Sequence, residues 1–211
     1  MSRSLEEQTA RAALVTAARS LFMRSLTHGS TGNLSVRVGD RILVTPTGSS
    51  LGTVTAEDMS VIDDEGAHVD GAKPSKEAFL HAAVYRARPQ AQAVVHTHST
   101  YSAAVSCLAG LDPANALPPL TAYFAMRIGT LPLLPYHAPG DDTLEGLAEA
   151  TARENLAMLL SNHGPVVSGT NLGAAMDALE ELEETAKLFL LLDGHPTRPL
   201  TPEQASALRP R

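Results

Sequence analysis

The stretch A-V-V-H-T-H-S at residues 93–99 constrains this chain most. Residues 91–95 read as a buried strand, and the period of two then places His96 and His98 on one face with Thr97 on the other. Two neutral imidazoles side by side are most of a metal site, and a catalytic site asks for a third protein ligand plus an open position for water or substrate. Taken alone, H-x-H reads equally well as two polar residues at a strand end, so the rest of the chain has to decide.

With 211 residues, 44% of them hydrophobic, the chain is long enough for one well-buried core, and a single domain over 1–211 is expected, with 195–211 a proline-rich tail. A net charge of -7 opposes a nucleic-acid partner, which would need a basic face. An anionic small substrate stays open, because a few cations and backbone amides suffice to hold a phosphate. There is no long uncharged apolar run for a membrane helix, and residues 1–12 carry acids without an apolar centre, so neither a membrane partner nor a secretory signal is expected. A cytoplasmic protein is the expectation. The lone Cys107 has no partner for an internal disulfide, and within the apolar-rich run 101–109 it is expected as a small core residue rather than a nucleophile.

Apolar residues at three- and four-residue steps predict an opening helix over 5–26. Two glycines break it, strands follow at 34–38 and 41–44 around a Gly39-Asp40 turn, and shorter strands are predicted at 58–63 and 68–70. Pro74 introduces a helix over 75–86 with Ser75 as N-cap. After the central strand come a helix at 100–108, a proline-bearing loop, strands at 124–130 and 131–134, a helix at 143–153 and a buried strand at 157–160. The polar break Ser161-Asn162-His163-Gly164 precedes a strand at 165–168, and Asn171 caps a long helix to 192, with a short helical turn after Thr201-Pro202. Helices flank strands throughout while several strands are hairpin-joined, which predicts an α/β/α sandwich on a mixed, mostly antiparallel sheet.

Among the remaining histidines, His163 is the best third ligand, since it interrupts a buried segment and is followed by glycine; alone, it reads first as a turn residue with a satisfied imidazole. His81 lies one helical turn past Glu77, so both can face one cleft, either as a further ligand or as a buried polar residue. Near a divalent cation Glu77 suits general acid/base work, whereas in isolation it is an ordinary first-turn acid. Three short loops, Gly32-Asn33, Thr47-Gly48-Ser49 and Ser75-Lys76, combine free backbone, hydroxyls and one cation, and together suggest a phosphorylated substrate.

The ordered set T-G-N-L-S, T-P-T-G, P-S-K-E, V-V-H-T-H-S and N-H-G, spread over residues 31–164, resembles the class II aldolase/adducin family. That resemblance implies an α/β/α sandwich, commonly a homotetramer with active sites at subunit interfaces. It implies His96, His98 and His163 as ligands of a divalent metal, usually zinc with manganese or cobalt as alternatives, and Glu77 as acid/base. Asn33, Gly32, Thr47, Gly48 and Ser75 match phosphate-site positions, and Tyr123 lies where an aldolase tyrosine assists proton transfer, although packing is the expected role here. Lys76 departs from the serine of fuculose-phosphate aldolases and ribulose-phosphate epimerases, and the surrounding P-S-K-E-A-F-L-H run is most similar to the 3-oxo-tetronate 4-phosphate decarboxylases. Lys76 is then a further cation for a substrate bearing both carboxylate and phosphate. The implied reaction loses carbon dioxide through a metal-stabilised enediolate to give dihydroxyacetone phosphate. A sugar-phosphate aldolase, epimerase or dehydratase on the same site, and a non-enzymatic adducin-like assembly module, are the alternatives.

Overall fold

A computed structural model describes residues 4–208; residues 1–3 and the last three of the proline-rich tail lie outside it. The strands are β1 (Asn33–Val38), β2 (Arg41–Val44), β3 (Ser60–Ile62), β4 (His68–Asp70), β5 (Ala93–His96), β6 (Leu133–Leu134), β7 (Ala157–Leu160) and β8 (Gly164–Gly169). The helices are α1 (Leu5–Met23), α2 (Ala78–Ala87), α3 (Thr100–Ser106), α4 (Ala122–Arg127), α5 (Glu145–Glu154), α6 (Leu172–Leu191) and α7 (Pro202–Ala207). All eight strands form one sheet in the order β4-β3-β2-β1-β5-β8-β7-β6, antiparallel at every pairing except β6 with β7. The mixed, mostly antiparallel sheet is therefore as expected, and the central position of β5 accounts for its four buried residues.

Strand alternation divides the core into two layers. Ala93 and Val95 of β5 pack with Leu34 and Val36 of β1 and Val167 of β8 against α1, α3 and α6. On the other face Val94 and Val166 pack with Leu80, Val84 and Tyr85 of α2 and Ala148 of α5. Side chains of even number on β5 thus point at α2, and His96 is the next of them. Helix α1 starts where Ser4 accepts a hydrogen bond from the Glu7 amide, and α6 where Asn171 accepts from Ala174.

Several expectations need correction. Residues 124–130 form not a strand but α4 and the turn after it: Thr121 caps the helix by accepting from the Phe124 amide, and Phe124, Ala125 and Ile128 bury one helical face. Packing of that face outweighs the strand preference of its aromatic and branched residues. Of the expected strand 131–134 only Leu133–Leu134 pairs, since Pro132 lacks an amide proton. Helix α1 ends at Met23, three residues early, where Ser25 turns into the left-handed region at φ 59°. Ser75 does not cap α2; its hydroxyl accepts from the Glu77 amide in the preceding turn, and Glu77 occupies the N-cap position. Cys107 is exposed rather than core, because α3 ends just before it.

Candidate metal centre

The central strands place polar residues together at one sheet edge. In the β1–β5 register Asn33 lies opposite His96, and in β5–β8 His96 lies opposite Val166, which brings the turn before β8 alongside. That turn joins β7 to β8, with Asn162 at φ 55°, a conformation asparagine tolerates better than most residues. His163 is thereby carried next to the loop after β5. Gly164 has to be glycine, since a Cβ there would overlap the Thr97 carbonyl.

Three imidazoles converge. His98 Nε2 lies 3.1 Å from His96 Nε2 and 2.9 Å from His163 Nε2, with the rings edge-on to one another. Glu77 stands beside them, Oε2 at 3.4 Å from His96 Nε2 and Oε1 at 3.3 Å from His163 Nε2. The Pro165 carbonyl, which can only accept, takes the His96 Nδ1 proton at 2.9 Å and leaves Nε2 of the neutral ring as a lone pair aimed into the cluster. Burial, reinforced by the neighbouring imidazoles, lowers the His98 pKa to about 3 and the His163 pKa to about 4. Neutral nitrogens packed this closely beside a carboxylate have too few protons to satisfy one another. The donor set fits a divalent cation held by three histidines, with their ligand atoms all within 4.8 Å of one another.

Glu77 is a buried carboxylate whose pKa is pulled two ways. Burial raises it, while the His96 and His163 rings and a hydrogen bond from Asn33 Nδ2 at 2.8 Å bring it down to about 2. His81, expected either as a ligand or as a buried polar residue, is the latter: it is fully buried behind Asn33, with both ring nitrogens engaged by Asn33 and Ser35. Above the cluster lies a cavity of about 250 Å³ lined by Gly32, Thr47, Gly48, Ser75, Lys76 and Asn33 as well as by Glu77, His98 and His163. The three loops suspected of phosphate binding thus meet at one place. Lys76 is exposed there, the one lysine or arginine among the described lining residues. Tyr123 is elsewhere, exposed on α4 beside Arg127. A larger cavity, about 590 Å³, lies at the opposite end of β5 and β8 around Arg88, Arg127 and Gly169 and holds none of the expected site residues.

Residues that the sequence did not single out hold the histidine-bearing loops in place. Ser106, at the end of α3, accepts from the His163 amide through its hydroxyl at 3.1 Å and from the Asn162 amide through its carbonyl at 3.0 Å. Glu183 of α6 accepts from the Tyr101 and Ser102 amides at the start of the same helix, at 2.8 and 2.9 Å. Its signal was helical: position 183 falls on the face of Leu179, Leu182 and Ala186, which is otherwise apolar.

The chain is 49% identical to the 3-oxo-tetronate 4-phosphate decarboxylase of Haemophilus influenzae, over 94% of this chain and 95% of that one. With the 3-oxo-tetronate 4-phosphate decarboxylase of Escherichia coli K12 it shares 47% identity, over 96% of each. Superposition on the crystal structure of YgbL from Escherichia coli gives a TM-score of 0.93 at 45% identity, covering 97% of this chain and 99% of that one. An L-fuculose 1-phosphate aldolase superposes with a TM-score of 0.85 at 28% identity, covering 99% and 96%. Residues 12–190 match the model of the class II aldolase and adducin N-terminal domain, and the chain belongs to that family.

Proposed function

We propose that this protein is a metal-dependent carboxy-lyase that converts a 3-oxo-tetronate 4-phosphate into dihydroxyacetone phosphate and carbon dioxide, working as a homotetramer. The observation that carries the reading is the convergence of His96, His98 and His163 on the Glu77 carboxylate at the floor of the Lys76 cavity. Near-full-length identity of 47–49% to two enzymes of that name supports the choice of substrate. A divalent cation bound by the three imidazoles, zinc in our reading, supplies positive charge for the substrate's carbonyl and neighbouring hydroxyl.

The roles of the chain's own groups follow from where they sit. The bond to the carboxylate carbon breaks with its electron pair left on the substrate, so carbon dioxide departs and an enediolate remains. Glu77, buried and held by Asn33, borders the solvent-filled cavity and is placed to relay a proton from water there to the carbon that lost the carboxylate. Thr47, Gly48 and Ser75 offer hydroxyl and amide donors for a phosphate. Lys76 faces the same cavity from its rim and is assigned to the second anion of the substrate.

Elemental analysis with a carbon-dioxide release assay on 3-oxo-tetronate 4-phosphate tests this, using wild type, His96→Ala and Glu77→Gln. The expected result is stoichiometric metal in wild type and Glu77→Gln, metal lost in His96→Ala, and turnover lost in both variants. Metal-loaded wild type that releases an aldehyde from a sugar phosphate, and no carbon dioxide, would move the assignment to an aldolase. A wild type that takes up no divalent metal would remove the enzymatic reading.

A further inference from the structure

Behind Glu77 lies a run of buried polar side chains that the reaction as described does not use. Asn33 Oδ1 meets His81 Nε2 at 2.5 Å, His81 Nδ1 meets Ser35 Oγ at 2.6 Å, and Ser35 Oγ meets Tyr85 OH at 2.9 Å. Ser35 and His81 are wholly buried and Tyr85 is 1% exposed. The match between elements is geometric. Asn33, Ser35 and Arg37 project from one face of β1 about 6.7 Å apart, and Glu77, His81 and Tyr85 recur every four residues along α2, about 6 Å apart. Arg37 completes the ladder by lying over the Tyr85 ring at 5.0 Å. Strand rungs and helix turns therefore stay in step over the whole contact.

The donors in this ladder point one way. A carboxylate accepts only, so Asn33 must present its Nδ2 protons to Glu77, and its Oδ1 is then an acceptor turned to His81. His81 must accordingly carry its proton on Nε2 and accept from the Ser35 hydroxyl on Nδ1. Burial, with the neighbouring His96 adding to it and the Glu77 charge opposing, lowers the His81 pKa to about 3 and keeps the ring neutral, as this assignment requires. Were the ring to hold its proton on Nδ1, Asn33 would be free to rotate and set its carbonyl oxygen against the carboxylate.

We infer that His81 is a positioning residue: through its Nε2–H it locks the Asn33 amide in the one orientation that holds the Glu77 carboxylate at the imidazole cluster. The consequence for turnover rests on the decarboxylase reading of Glu77, whereas the tautomer and the lock do not. Loss of the lock leaves the three imidazoles and the phosphate donors at Thr47, Gly48 and Ser75 untouched, so it should act on kcat and spare both KM and metal content.

Two measurements test this together. In the protein labelled with 15N-histidine, the metal-free and metal-loaded forms should both show His81 with a protonated Nε2 and a hydrogen-bonded, unprotonated Nδ1. The opposite tautomer overturns the inference without any variant being made. Among variants, His81→Leu should keep its metal and its KM but lose about a hundredfold in kcat, the scale of a misplacement near 1 Å. His81→Gln, which can place an amide N–H near the same point, should recover most of that loss. Equal kcat in wild type and His81→Leu, or a folded His81→Gln no better than His81→Leu, refutes the lock. If wild type itself releases no carbon dioxide the proposed reaction fails, and the tautomer measurement still judges the orientation of Asn33.

Discussion

Replacing Glu183 by alanine should damage the metal centre without touching a ligand. Helix α3 is a strut between the two histidine-bearing loops: it begins two residues after His98 and ends at Ser106, which anchors Asn162 and His163. Its own N-cap residue, Ser99, makes no capping bond, so the start of the helix depends on Glu183, 5% exposed on α6. The carboxylate accepts from two amides and from the Ser102 hydroxyl at 2.7 Å. Truncation leaves three donors, two buried and one part-buried, without a partner, each worth about 1–3 kcal/mol. Water entering the vacated space recovers part of this, so the lower end applies, about 3 kcal/mol in all. For a chain of 211 residues that corresponds to a fall in Tm of about 6–12 °C, within reach of circular dichroism on the metal-free protein. Because the strut also spaces His98 from His163, the Tm rise on adding zinc should be smaller in Glu183→Ala than in wild type, reporting weaker binding through linkage. A variant that unfolds within about 1 kcal/mol of wild type would show that the three contacts do not carry α3. Lower stability with an unchanged zinc-induced shift would refute the strut.

Gly164→Ala should fail to yield a folded, metal-binding protein, as judged by far-ultraviolet circular dichroism and elemental analysis, because the new Cβ meets the Thr97 carbonyl. Gly32→Ala, at φ 77° with a Cβ 2.9 Å from the His96 carbonyl, should cost about 3 kcal/mol in urea unfolding. Lys76→Ser should raise KM for the 3-oxo acid roughly tenfold while leaving kcat near wild type, the pattern of lost ground-state binding in steady-state kinetics. Acid should weaken the metal-free protein: His81 is held neutral to about pH 3 against an ordinary value of 6.5, so the unfolded chain binds the extra proton and stability falls as pH drops below 6.5. From pH 6.5 to 5 the loss is about 2 kcal/mol, and denaturant titrations of His81→Gln should lack that portion of the slope.

Much of the centre was legible because its residues interrupt apolar runs. His96 and His98 end a buried strand and His163 sits between two more, positions where packing alone would place no imidazole. The hairpin of β1 and β2 was equally plain from alternation around Gly39-Asp40, and α6 from its cap and its apolar period. Residues 124–130 misled because their composition suits a strand; the Thr121 cap is a local signal that strand composition masked, and burial against α6 and α7 is tertiary. Asn33 was placed with the phosphate loops by its neighbour Gly32; the fold shows its amide committed at both ends, to Glu77 and to His81.

That commitment explains why the Glu77 carboxylate stands at a helix start rather than on a strand beside the histidines. A strand residue next to His96 would be fixed by the ladder and would have only its rotamers to adjust. At the N-cap of α2, Glu77 hangs from the first turn, where the chain can bring both oxygens within 3.4 Å of the imidazoles. The freedom thus gained has to be removed again, and β1 removes it, because Asn33 is in register with His96 and faces α2. Histidines from β5 and the β7–β8 turn, carboxylate from α2 and clamp from β1 are separate in sequence but adjacent through the order β1-β5-β8. A change of register between β1 and β5 by one residue would turn Asn33 to the opposite face of the sheet and leave Glu77 without its donor, while the three histidines stayed together. Convergence of the histidines and placement of the Glu77 carboxylate are therefore separable properties of this fold, which is why metal content and turnover have to be measured on the same variants.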